Sequence, residues 1–287
     1  MPRVRLSLPV LASFFALYVI WGSTYFAIRV GVESWPPFMM AGVRFVLAGA
    51  LLFAYLRLRG TPLPDWRQLA GASLLGVLMP AIGNGLVTLA EKTVSSGVAA
   101  LVVASVPLFT SLFARLLGQR TRGIEWAGMA LGMAGIAFLN FGANLSASPL
   151  GALLLILACA GWALGSALSK KLPQPSGLMS SAVMMLSGGI ALLIASAACG
   201  EHLHAMPTLA GWLALAYLIV FGSIIAYSAY LYLLTHVSPA AATSYAYVNP
   251  VIAVLLGMGL LGEQVGPHEW GGMAIIVSGV LLIGWKR

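Results

Sequence analysis

The apolar positions of this chain fall in ten long runs separated by short polar breaks. A helix crosses the hydrocarbon layer of a bilayer with roughly 20 apolar residues, and it satisfies its own backbone while doing so. The runs predict spans near Pro9–Ile28, Pro37–Leu56, Leu69–Leu89, Ser95–Leu117, Ile124–Phe141, Leu150–Ser169, Leu178–Cys199, Leu209–Leu234, Pro239–Leu261 and His268–Trp285. Chain breakers mark the connections: Glu33-Ser-Trp-Pro-Pro37, Gly60-Thr-Pro-Leu-Pro64, Pro173-Gln-Pro175 and Gly266-Pro267. Residues Met1 to Leu8 carry the charge pattern of a signal peptide. The apolar run continues past Trp21 without a small-residue cleavage site, so it reads as an uncleaved first span. The expected fold class is an all-α polytopic membrane protein.

Composition closes off the main alternative. Of 287 residues 60% are apolar and 8% charged, with a mean hydropathy of +0.97. A soluble domain carries about 25% charged residues, so an ordinary soluble enzyme is excluded. The 33 glycines suit helices that pack closely in lipid. The net charge of +8 would suit nucleic acid, but its placement says otherwise. With the N-terminus in the cytoplasm, that side holds twelve of the fifteen Lys and Arg residues. The outer side holds Arg29 and Lys92, and Arg44 lies within the second span. Positive charge collects on cytoplasmic loops, so both termini are expected inside and nucleic acid is not an expected partner. Cys159 and Cys199 lie in apolar runs and form no CxxC site. There is no P-loop and no HExxH, and the four histidines show no ligand spacing on a buried helix. No cofactor and no metal are expected.

An internal repeat organises the runs. Leu116-Leu-Gly-Gln-Arg-Thr-Arg-Gly-Ile-Glu-Trp126 recurs 144 positions later as Leu260-Leu-Gly-Glu-Gln-Val-Gly-Pro-His-Glu-Trp270. Gly128-Met129-Ala130 pairs with Gly272-Met273-Ala274. Val94-Ser95 and Pro107 match Val237-Ser238 and Pro250, and Trp21 matches Trp162. The predicted halves are 1–145 and 146–287, five helices each. Five is odd, so the second copy enters the membrane from the opposite side. The charges agree: the connection after the fourth span holds Arg115, Arg120 and Arg122, and its copy after the ninth holds no Lys or Arg. Inverted-topology repeats are a common build of secondary transporters, with the substrate near the midplane between the halves.

Trp21-Gly-Ser-Thr-Tyr25, Arg44-Phe45, Ser244-Tyr-Ala-Tyr-Val-Asn-Pro250, Leu261-Gly-Glu263 and Glu269-Trp270 resemble the EamA-type branch of the drug/metabolite transporter superfamily over nearly the whole chain. The resemblance implies a multi-pass protein of the bacterial inner membrane that exports small metabolites, amino acids or drugs by alternating access. One position departs from the pattern. Gln119 stands opposite Glu263 in the first half, where many relatives keep an acid in both.

Candidate chemistry sits at membrane depth. Pro107 and Pro250 lie mid-span and free a carbonyl near Val103 and Ala246, as symmetric hinges or as kinks satisfied locally. Asn84, its repeat partner Tyr227, Tyr245 and Asn249 carry polar groups that must be bonded there, either helix to helix or in a pocket. Trp21, Tyr25 and Trp162 would supply aromatic walls, or else pack against core and lipid. Arg44, seven residues into its span, needs a partner. Glu91 or Glu263 would serve, in an outer gate pair or a static structural one. Glu91 aligns with Leu234, so a carboxylate there either carries a proton in a dry setting or meets water at a helix end. Gly128-x-x-x-Gly132 offers a close contact within the fold or between protomers, leaving monomer and homodimer open.

The expected function is secondary transport of a small amphipathic metabolite outward, driven by its own gradient or by protons. A neutral aromatic pocket with amides favours amino acids or similar zwitterions. The rivals are a membrane-embedded enzyme on lipid-like substrates, disfavoured by seven acids scattered at loops, and a non-transporting scaffold or sensor.

Overall fold

The computed structural model describes residues 7–94, 99, 102–119, 123–139, 149–252 and 267–284. Every regular element among them is helical. In chain order they are α1 (Leu8–Val32), α2 (Pro37–Leu58), α3 (Trp66–Ala90), α4 (Val106–Leu116), α5 (Gly123–Leu139), α6 (Pro149–Leu168), α7 (Leu178–Ala198), α8 (Leu209–His236), α9 (Pro239–Ala242) with a further helical stretch at 245–252, and α10 (Pro267–Gly284). Among the described residues six helices, α1, α2, α3, α6, α7 and α8, are long and apolar enough to cross a membrane.

Local chemistry fixes the helix ends. Asp65 and Gln68 form a reciprocal capping box that starts α3 at Trp66. The Glu201 carboxylate, from the α7–α8 connection, accepts from the Phe38 and Met39 amides at 3.2 and 2.8 Å and so caps α2.

Two sequence expectations are altered. The fourth and ninth spans are broken, and 95–98 and 253–261 lie outside the described residues. In the first half the chain turns at Ala104-Ser105, and Pro107 falls in the first turn of α4, where its missing amide costs nothing. In the second half the turn is at Thr243-Ser244, with Pro250 further along in 245–252. The breaks precede the prolines, at unequal distances, and do not fall at them.

Three wide stretches, Leu17–Trp21 in α1, Val77–Asn84 in α3 and Leu218–Ile225 in α8, are wound as π-helix. In α3 the cause is Pro80, which has no amide to continue the ladder. Such segments reorient side chains and recur at functional sites.

Helix pairing is regular. Gly42 lies against Leu193, Val46 against Gly189 and Gly49 against Leu186, so α2 and α7 run antiparallel. A Cβ on Gly49 would sit 2.7 Å from the Leu186 amide nitrogen, so the close approach needs glycine. α5 and α10 also run antiparallel, with Gly132 against Gly279 and Phe138 beside Gly271. α3 packs antiparallel on α6 (Gly83 on Trp162, Gly71 on Pro173), and α1 on α8 (Trp21 by Gly222, Gly31 by Ala214). These four central helices, with α4 and α9 alongside, surround the interior.

Candidate functional site

A cavity opens where α1, α3, α4, α6 and the 245–252 stretch meet, with about 60 Å³ of room for the centres of water molecules. At about 10–15 Å³ per water it would hold only a few in this conformation. Trp21, Tyr25, Asn84, Trp162, Tyr245 and Asn249 all line it. Tyr227 does not: it lies behind Trp162, its ring 6.1 Å from that indole and its hydroxyl donating to Met184 Sδ at 3.3 Å.

The two indoles of the wall are held by their polar tips. Trp21 meets Trp162 edge-on at 5.4 Å and Tyr245 edge-on at 4.6 Å, geometries that suit the ring quadrupoles. The Trp21 indole N–H donates to the Gly222 carbonyl at 3.0 Å, a carbonyl in the π-helical part of α8. Trp162 belongs to a closed ring of bonds. Its N–H donates to the Tyr230 oxygen (3.2 Å), and the Ser166 hydroxyl donates to the Trp162 carbonyl (2.7 Å). The Tyr230 hydroxyl therefore donates to Ser166 (2.6 Å). Four polar groups are satisfied without water.

Two amides differ from this pattern. Asn84 Oδ1 accepts from Arg44 Nη1 at 3.2 Å, which leaves its NH₂ to the cavity. Asn249 is buried, with the Tyr25 hydroxyl as a polar neighbour and, among the described residues, no bond of ordinary geometry to either amide atom. An unsatisfied amide costs about 1–3 kcal/mol, which singles Asn249 out among the lining residues.

Arg44 departs from the expected gate pair. It is 2% exposed, donates from Nε to Ser223 Oγ at 2.8 Å and from Nη1 to Asn84, and lies 4.7 Å over the Phe45 ring. All three partners are neutral. Glu91 makes no pair with it: the carboxylate is wholly buried and neither oxygen has a hydrogen-bond partner, while its backbone carbonyl accepts from Arg29 Nη1 at 2.5 Å. Burial pushes the Glu91 carboxyl well above the usual carboxylate range, and Arg29 opposes that shift only in part. Glu263 lies outside the described residues. Pro107 and Pro250 stand on α4 and the 245–252 stretch and do not line the cavity.

Several participants escaped the sequence reading. Cys159, read there as a small hydrophobe, lines the cavity with Thr24, Gly83 and Val87. Ser166 and Tyr230 lock Trp162. A signal for part of this was present: Gly83, Val87 and Glu91 step by four along α3 and share one face. Ser166, four residues after Trp162, follows the same rule. A second, larger hollow of 450 Å³ lies between the α6–α7 connection and the end of α8, lined by Ser169, Lys170, Gln174, Ser181, Ser228, Tyr232 and His236 among others. Among the described residues no three His, Cys, Asp or Glu side chains gather as a metal site.

Comparison with known proteins agrees with this architecture. The EamA-like transporter family model matches the chain twice, at residues 8–141 and 149–285. The inner membrane transporter YedA of Escherichia coli K12 is 56% identical over 282 residues, which cover 98% of this chain and 92% of that protein. The transporter YdfC of Bacillus subtilis is 28% identical, covering 85% and 80%. One solved crystal structure superimposes with a TM-score of 0.80 over 98% of this chain and 99% of the other, at 22% identity, a likeness of fold alone.

Proposed function

Because the chain belongs to the EamA-like transporter family of the drug/metabolite transporter superfamily and is a multi-pass inner-membrane transporter, we propose that it exports amino acids or similar amphipathic metabolites, drugs among them, by alternating access. The observation that carries the reading is the aromatic cavity to which both predicted halves contribute: Trp21, Tyr25 and Asn84 from 1–145, Trp162, Tyr245 and Asn249 from 146–287.

The proposed architecture is ten spans in two inverted five-helix repeats. It is supported by the antiparallel course of helices that the repeat makes equivalent, α2 with α7 and α5 with α10. The proposed orientation, with both termini cytoplasmic, rests on the twelve basic residues on one side. The substrate's carboxylate would lie at Asn84, in the field of Arg44, whose partners are all neutral. Its apolar body would lie on the Trp21 and Trp162 edges, with Asn249 as the free amide. Protons are the proposed coupling ion, with the buried Glu91 carboxylate as their carrier, and no catalysis is assigned.

Counterflow in proteoliposomes tests this. Vesicles preloaded with a panel of amino acids should exchange at least one labelled member, and an imposed pH gradient should change the rate. Folded protein that exchanges no member of the panel would remove the amino acid assignment. Exchange that ignores the gradient would remove the proton.

A further inference from the structure

Two basic residues outside the cavity occupy matching places. Arg29 comes eight residues after Trp21 on the line of α1, and Lys170 eight residues after Trp162 on the line of α6. Each crosses to the C-terminal end of the third helix of its own half. Arg29 Nη1 donates to the Glu91 carbonyl at 2.5 Å, just past α3, and Lys170 Nζ donates to the Val237 carbonyl at 3.2 Å, just past α8. The repeat aligns Glu91 with Leu234, so the two acceptors lie within a turn of equivalence. Cations at helix C-termini are favoured by the exposed carbonyls and the helix dipole.

The two contacts lie at opposite ends of the cavity. α3 and α6 are antiparallel and both reach it, through Gly83 and Trp162. Glu91 is eight residues beyond Gly83 in one direction, and Lys170 eight beyond Trp162 in the other, about 12 Å of helix each. A second observation bears on the Lys170 end. The 450 Å³ hollow is lined by Lys170 and Leu234 and does not share a lining residue with the central cavity. The contact thus stands at the wall of the hollow, at the end of α6 away from Glu91. Partial burial lowers the Lys170 ammonium from its ordinary value, and the charge of Glu125 opposes that shift only in part.

We infer that Arg29 and Lys170 are paired gate residues, each tying the first helix of its half to the end of the third, and that the transport cycle releases one while the other holds. This rests on the alternating-access reading. It needs no residue of the cavity itself, and the repeat gives it a stated symmetry.

The native thiol of Cys159 is the reporter, since it lines the cavity and is 1% exposed. Replacing the exposed Cys199 by serine leaves Cys159 as the sole cysteine of the full-length protein. A membrane-impermeant maleimide is then applied to vesicles from one face at a time. Arg29→Ala should speed Cys159 labelling several-fold from one face, and Lys170→Ala should do so from the opposite face. Arg29→Lys and Lys170→Arg should return labelling toward the parent rate. The clasp is overturned if the parent labels from either face and both alanine variants label as it does, or if both variants favour the same face. Labelling from neither face in parent and variants, with full labelling after denaturation, would overturn the clasp and the alternating-access reading beneath it.

Discussion

The central cavity and the hollow beside Lys170 differ in nearly every property that matters for selection. The cavity is small and walled by indoles and phenols, with both indole N–H groups bonded and two amides facing inward. The hollow has several times its room and mixes leucines with hydroxyls, Lys170, Gln174 and His236. Ser166 lies between Trp162 and Lys170 in the chain, already committed to Tyr230. Discrimination requires groups fixed before the solute arrives, since a mobile side chain spends binding energy on being ordered. On the proposed reading, selection would belong to the cavity and passage to the hollow, a division that substitution can break.

Substitution within the bonded ring should break that contrast most severely. Trp162→Ala removes the wall and leaves Tyr230 without its donor. Removing a buried tryptophan costs about 3–5 kcal/mol in water-soluble cores, so folded yield should fall. Exchange per folded molecule should drop at least tenfold in counterflow. Trp162→Phe keeps a ring but not the N–H, and should fall between. Wild-type exchange in both variants would move selection out of the cavity.

Arg44 gives the next effect. A cation at membrane depth costs roughly 2.5–3.5 kcal/mol or more, and among the described residues Ser223, Asn84 and the Phe45 ring, all neutral, offset it. Arg44→Met should leave folded yield near the parent while lowering exchange of carboxylate solutes by about tenfold, the effect of about 1.4 kcal/mol. Uncharged ester analogues should change less than twofold. Equal losses for acid and ester would reduce Arg44 to a packing element.

How much of this was legible beforehand follows from what sequence encodes. Runs of apolar residues located α2 and α7 to within a few positions, because span length is set by the bilayer and not by contacts. The breaks in the fourth and ninth runs left no mark in hydropathy. Six of the seven proposed pocket residues line the cavity, since aromatic and amide side chains at that depth have few other uses. Tyr227 differs through winding: the π-helical turns at Val77–Asn84 and Leu218–Ile225 shift each face, so a sequence partner of Asn84 need not share its orientation. The sequence predicts Glu91 or Glu263 as the partner of Arg44; Glu91 does not pair with it, and Glu263 lies outside the described residues. Ser223, which Arg44 does meet, is one hydroxyl among many, and nothing in its neighbours marks it. Arg29 and Lys170 looked like topology charges because their acceptors are backbone carbonyls, which every residue carries.

Glu91 should give a smaller but signed effect. Its ordinary value is 4.5, and burial raises it in the folded protein. As pH climbs through 4.5 the unfolded chain loses this proton first, so the folded state binds more protons and stability falls with rising pH until the folded carboxyl also ionises. The detergent-solubilised protein should therefore unfold at a lower temperature at pH 7 than at pH 5. Glu91→Gln should flatten that slope and raise the midpoint at pH 7, while transport loses its response to a pH gradient. An unchanged slope would mean that the carboxylate is already charged and hydrated in the folded state.

The smallest effect should come from the hollow. Ser181→Ala and His236→Ala each remove a polar group from its lining while leaving the Trp162–Tyr230–Ser166 ring untouched. His236 is exposed, with its ring against Tyr232 at 3.9 Å, and Ser181 is buried at the start of α7. If the hollow serves passage, neither change should alter which solutes exchange, and rates should stay within about twofold of the parent, less than 0.5 kcal/mol. A change in the order of preferred substrates, measured by competition in the same counterflow assay, would place selection at this end as well. The division between cavity and hollow would then give way to one continuous binding path.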